Sequence, residues 1–111
     1  MPLPTVTLGE QVQVVPSTSL PEGVISQASN NNLDVIEHSD GRLYFAFRTG
    51  PDHFASDEVH MVVLSSVDQG ASWELELDLF LETDLREPRF LSWDGSLFFH
   101  YAVLGTDPMD F

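Results

Sequence analysis

Ser66, Asp68, Gly70, Ser72 and Trp73 stand at spaced positions in the stretch SVDQGASW. Two hydroxyls beside a carboxylate suit either a reactive group or a turn that ties down its own backbone. Other residues also carry chemistry. His53 follows Asp52 and is suited to a polar ligand, or is simply a solvated loop histidine. Asn30, Asn31, Asn32 and Asp34 offer amides and a carboxylate to sugar hydroxyls at a pocket mouth; an Asx-rich turn uses the same residues. All four basic residues are arginines: Arg42, Arg48, Arg86 and Arg89. There is no cysteine, which excludes a disulfide framework, a thiolate zinc site and a cysteine nucleophile. No pair of histidines has metal-ligand spacing with a third ligand close by, so neither a metal nor a cofactor is expected.

These groups need elements to hold them, and the pattern between them has period two. In RLYFAFRT, Leu43, Phe45 and Phe47 share one face, and Tyr44, Ala46 and Arg48 the other. EVHMVVLSS is a Val-rich run suited to a strand buried on both faces. WELELDLF alternates Trp73, Leu75, Leu77 and Leu79 with Glu74, Glu76 and Asp78, a strand with one wet face at an edge of the sheet. PRFLSWDGSLFFHYAVLG gives two further strands around Asp94-Gly95. No amphipathic helix is present in the pattern, and the chain reads as all-β. Residues 1–32 are rich in Pro, Ser, Asn and Gly, with one short β-like run at Val12–Val15, and read as an extended lead-in with turns.

Composition bounds the rest. A chain of 111 residues allows one domain at most, and a 42% apolar share is normal for a globular core. Eighteen acidic residues against four basic give a net charge of −14, which repels phosphate backbones and makes nucleic acid an unexpected partner. The acids are scattered, as on a solvated surface. No apolar run approaches the roughly 18 residues of a membrane-spanning helix, and the N-terminus lacks the basic and apolar regions of a signal peptide. No membrane partner is expected, and the sequence assigns no compartment.

Shifting the sequence by 54 residues reveals a repeat. SDGRLYFAF falls on WDGSLFFHY, with Asp40/Asp94, Gly41/Gly95, Leu43/Leu97 and Phe45/Phe99 identical. Asp-Gly is a hairpin signal, because glycine takes positive φ freely and aspartate bonds to nearby backbone. One hairpin per 54 residues matches the length of a four-stranded propeller blade. Strands near 34–38, 42–49, 59–65 and 73–80 make one blade, and residues 88–104 supply two strands of the next. One and a half blades cannot close a ring, so the chain is expected to be a piece of a longer protein or to self-associate.

Between two strands, SVDQGASW reads as a turn lock. Gly70 supplies a position tolerant of positive φ, and Asp68, Ser66 and Ser72 accept or close local hydrogen bonds. Trp73 then opens the outer strand with a ring to bury.

The same residues carry a family likeness. Ser66-x-Asp68-x-Gly70-x-Ser72-Trp73 resembles the Asp box, Ser/Thr-x-Asp-x-Gly-x-Ser/Thr-Trp, of the sialidase-like or BNR-repeat β-propellers, at all five defined positions. In that family the box joins the third and fourth strands of a blade, away from the active centre. With the repeat and strand order, the resemblance covers roughly residues 30–105. It implies an all-β propeller fragment of about one and a half to two four-stranded antiparallel blades. The divisions are a lead-in over 1–32, a first blade over 33–81 with the Asp box at 66–73, and an incomplete second blade over 82–111.

The resemblance also implies a site. Such sialidases hold a sugar carboxylate with three arginines, use an Asp as acid/base and attack with a Tyr activated by Glu. Guanidinium suits a carboxylate because its fork binds both oxygens. An anionic sugar repels a carboxylate nucleophile, which favours the phenol. The family's first arginine, in an Arg-x-Pro motif opening the first blade, falls near Asn32, where no arginine stands. One repeat later the chain reads Arg86-Glu87-Pro88. Either the chain begins one blade before the family's usual start, or the second blade supplies this arginine. The acid/base aligns with Asp57, with Glu58 and Asp52 as neighbours. Arg86, Arg89, Arg48, Asn32, Asp34 and His53 become candidate substrate ligands. The bland alternatives are surface pairing of Arg86 and Arg89 with Asp84 and Glu87, and a solvent-directed Arg48. The nucleophile, its Glu and the remaining arginines would come from later blades. The expected function is therefore part of a glycoside hydrolase on a polar or acidic sugar, inactive alone. The alternative is a non-catalytic Asp-box propeller that binds glycans or proteins.

Overall fold

The computed structural model describes residues 2–106, and among these the chain is all-β, with six antiparallel strands in two sheets and no helix. Strands β1 (Ser29–Glu37), β2 (Leu43–Gly50), β3 (His60–Ser66) and β4 (Glu74–Leu79) form a meander in sequence order. Strands β5 (Asp84–Trp93) and β6 (Ser96–Leu104) form a separate two-stranded sheet. Residues 107–111, the end of the expected second blade, lie outside the described residues.

Strand β3 is buried on both faces, as its Val-rich run predicts. Each face carries its own core. Phe47, Val62 and Leu64 form one, against which Phe45 and Trp73 pack; Val15, Leu20 and Val24 of the lead-in cover it. Val59, Met61 and Leu85 form the other, where the two sheets meet, with Leu79, Phe99 and Tyr101 packed around them. At roughly 1.5–3 kcal/mol per large side chain buried, these two clusters hold the molecule together.

Several local expectations change. Strand β1 starts at Ser29, inside the expected lead-in, because Asn30 and Asn31 pair with Thr49 and Arg48. The Val12–Val15 run joins no strand; Val15 instead packs on the first core. Strand β4 does not keep one apolar face. Leu77 and Leu79 pair with Val63 and Met61, whereas Leu75 pairs with Leu64, and the irregularity between them at Glu76 puts Leu75 on the other face; only Leu79 packs on a core, while Leu75 and Leu77 stay exposed. That expectation failed because a period-two pattern cannot show an extra residue in the ladder.

The two Asp-Gly hairpins close differently. His38 N–H donates to Arg42 O (2.9 Å) and Gly41 N–H to His38 O (2.9 Å), with Gly41 at φ 84°. Asp94 and Gly95 both have positive φ (50° and 78°) and form a two-residue loop between paired Trp93 and Ser96, the turn that best matches strand twist. Pairing consequently slips by one position between repeats: Leu43 and Leu97 are equivalent, but Leu43 faces Glu37 and Leu97 faces Ser92.

Candidate functional site

The turn at 66–73 has the geometry of a lock. Gly70 N–H donates to Ser66 Oγ (2.8 Å), and the Ser66 hydroxyl donates to Asp68 Oδ1 (2.8 Å). Ser72 donates twice to the same carboxylate, from N–H to Oδ1 (2.8 Å) and from Oγ to Oδ2 (2.5 Å). The Ser72 hydroxyl and amide, then the Ser66 hydroxyl, pull Asp68 down to a pKa of about 2. Gln69 and Gly70 take positive φ (62° and 87°), and the Trp73 ring lies against Gly70 and tilts onto Phe45, ring centres 5.8 Å apart. Both hydroxyls are spent on the turn.

Chemistry gathers instead where the two sheets meet, along β1 and β5. Strand β1 carries a bulge at Asn32 (φ 49°), and β5 carries one at Glu87-Pro88, with Glu87 at φ 54°. Asparagine tolerates the left-handed region; glutamate there is less common and marks a constrained position. The two irregularities touch, with Glu87 N–H donating to Asn32 Oδ1 (3.3 Å). Farther along, Phe90 N–H donates to Asp34 Oδ2 (2.8 Å), and His38 Nδ1 meets Ser92 Oγ at 2.7 Å. Asn32 and Asp34 therefore stitch one sheet to the other.

Beside the β5 bulge lies a charged cluster centred on Asp84, which is fully buried. Arg48, also fully buried, donates from Nε (3.2 Å) and Nη2 (2.8 Å) to Asp84 Oδ1. Arg86 Nε donates to the other oxygen, Oδ2, at 2.5 Å. The same guanidiniums clamp the β2–β3 loop: Arg48 donates to the carbonyls of Asp52 (3.0 Å) and Phe54 (2.8 Å), and Arg86 to that of His53 (2.6 Å). Burying charge around one anion is costly unless its lone pairs and the facing protons are placed, and six donor contacts do most of this placing.

The structure distributes the sequence candidates unevenly. Arg48 and Arg86 come together through Asp84. Arg48 does not reach solvent as a snorkelling side chain would; its guanidinium is committed inside the fold. Arg86 keeps 18% side-chain exposure, and among the described residues its Nη1 makes no hydrogen bond. Its pairing with Asp84 is buried, not a surface contact. Arg89 is exposed, with Nη2 3.6 Å from Glu87 and Nη1 donating to Pro88 O. His53 enters the cluster through its carbonyl; its ring and Asp57 are exposed on the loop. Glu58 and Asp52 are exposed, and they serve the loop through the Glu58 carbonyl, bonded to Gln27, and Asp52 Oδ1, bonded to Phe54 N–H.

Sequence reasoning missed the weight of Asp84. Asp84, two positions before Arg86, was legible as a pairing partner, but its burial beneath Arg48 depends on contact across 36 residues. Among the described residues, no three of His, Cys, Asp or Glu lie together as a metal site. No protein-family model, curated protein or solved structure matches the chain.

Proposed function

We propose that the chain is part of a sialidase-like Asp-box β-propeller: one four-stranded blade and the inner half of a second. The reading rests on the complete Asp-box pattern, its position between β3 and β4, and the 54-residue repeat, whose two copies cover the β1–β2 and β5–β6 turns and most of the strands that follow them. The molecule's open surfaces are compatible with further blades. Strand β6 pairs only with β5 among the described strands, and Leu91, Trp93 and Phe98 are exposed on β5 and β6. Reading the coding sequence past the codon for Phe111 tests the architecture. A continuing frame with more Asp boxes, a Tyr and two further arginines is the expected outcome; a frame without them removes the propeller reading.

Within that protein, we infer a role in recognising a polar or acidic sugar, as part of a glycoside hydrolase that is inactive from this chain alone. The observation that carries the inference is Arg86: a guanidinium held at a strained bulge, with one edge presented to solvent. Asp57, on the loop clamped by Arg48 and Arg86, is the candidate proton donor, and Arg89 a further ligand. In the protein as encoded, Arg86→Ala is expected to abolish binding of N-acetylneuraminate while leaving the fold intact; unchanged binding rejects the site. The alternative, a non-catalytic propeller that binds glycans or proteins, draws support from Asn32, which occupies the repeat position of Arg86 without its charge. Retained binding of a neutral glycan with no hydrolysis would favour it.

A further inference from the structure

We propose that Asp84 is the positioning residue for Arg86, and that it works only because Arg48 of the neighbouring sheet holds it; the ligand role of Arg86 rests on the reading above. An arginine at an exposed bulge has several rotamers of similar energy and would lose that freedom on meeting a ligand. Here the freedom is already removed. Asp84 Oδ2 fixes Nε, and the His53 carbonyl fixes Nη2, which leaves Nη1 as the edge without a partner among the described residues. Asp84 cannot follow a moving guanidinium, because it is fully buried and its other oxygen takes two donors from Arg48. The cluster holds two positive groups and one negative. Arg48 is sealed off, so the excess positive charge meets solvent at Arg86, in a chain of net charge −14.

The repeat supplies an independent comparison. Fifty-four residues before Asp84 and Arg86 stand Asn30 and Asn32, so both members of the pair are amides in the first sheet. Asn30 Nδ2 donates to Gln27 O, but its Oδ1 is buried without a partner. Asp84, at the equivalent position, has its oxygens satisfied by Arg48 and Arg86. The pair is charged where a neighbouring sheet supplies an arginine and uncharged where, among the described residues, none does.

The test uses the protein as encoded, with labelled arginine side chains. In the wild type, the Arg86 Nε–H, assigned by its loss in Arg86→Lys, should exchange slowly with solvent. Asp84→Asn keeps the size and removes the charge. It should speed that exchange by roughly tenfold or more and weaken N-acetylneuraminate binding by a similar factor, as expected for losing a hydrogen bond to a charged group. If Asp84→Asn loses the dispersed amide spectrum of a folded protein, Arg48→Met with Asp84→Leu replaces the buried pair by apolar groups of similar volume. The same acceleration is expected there. An Arg86 Nε–H that exchanges as slowly in a folded variant as in the wild type overturns the proposal. Failure of the wild type to bind N-acetylneuraminate would instead reject the carbohydrate reading, and the exchange comparison would still decide on Asp84.

Discussion

At the residue scale, the turn at 66–73 and the cluster at Asp84 use carboxylates in opposite ways. Asp68 sits at the surface and is held by short-range donors, so its contribution to stability can be titrated. Its pKa is about 2 in the folded protein against 3.8 when unperturbed. A depressed carboxylate contributes stability that is fully present above the unfolded value and is lost as pH falls through the folded one. Asp68→Asn should therefore lower the urea midpoint at pH 7, and the gap from wild type should shrink between pH 3.8 and pH 2. A gap of constant size across that range would show that charge plays no part in the lock. Gly70→Ala tests the same turn through its backbone. An added Cβ would lie 3.5 Å from the Trp73 ring, an ordinary contact, so the cost comes from φ 87°. About 1–2 kcal/mol is expected from the left-handed conformation, measured by equilibrium unfolding.

At the element scale, the two sheets differ in how much each can stand alone. A two-stranded ribbon is marginal in water, whereas the β1–β4 meander has a core on both faces. Leu85 is the fully buried residue of β5 in the shared core. Leu85→Ala should cost about 2–5 kcal/mol and strip amide exchange protection from β5 and β6 first, with β1–β3 retaining theirs. Uniform loss of protection would mean that the sheets fold as one unit. The strands themselves were legible because alternation and Val-rich runs report local burial, and the turn lock at 66–73 was legible because its bonds span only a few residues. The bulges at Asn32, Glu76 and Glu87 were not, since each depends on register against a partner strand. The site was half legible for the same reason. Arg86 announced itself through Arg86-Glu87-Pro88, but the burial of Arg48 follows from packing between sheets, which no spacing in the chain records.

At the scale of the whole molecule, the radius of gyration is 15.6 Å, against about 13 Å for a compact domain of this length. The first residues contribute, with Leu3, Val6, Leu8 and Val12 all exposed. So does the uncovered β5–β6 sheet. Trp93 is 71% exposed there, while Trp73 packs on the first core. Fluorescence separates the two. In this chain, Trp93 should emit at long wavelength and be quenched by acrylamide, and Trp93→Phe should remove most of the quenchable signal. Acrylamide is the suitable quencher because an anionic one would be repelled by the charge of −14. If the chain continues into strands that cover this face, as the proposed reading requires, Trp93 emission in that protein should move to shorter wavelength; an unchanged spectrum would count against that reading.

The bond between Arg48 and Asp84 also bears on how such a chain can be copied and reshuffled. It crosses from one repeat into the next, so a gene segment cut between β4 and β5 separates the two partners. Tandem duplication of β1–β4 would set Arg48 of one copy against Asn30 of the following copy, offering a guanidinium an amide oxygen in place of a carboxylate. That leaves a buried cation without its counter-charge, a defect of about 3–5 kcal/mol. The unit that can be exchanged without loss therefore runs from β2 through β5.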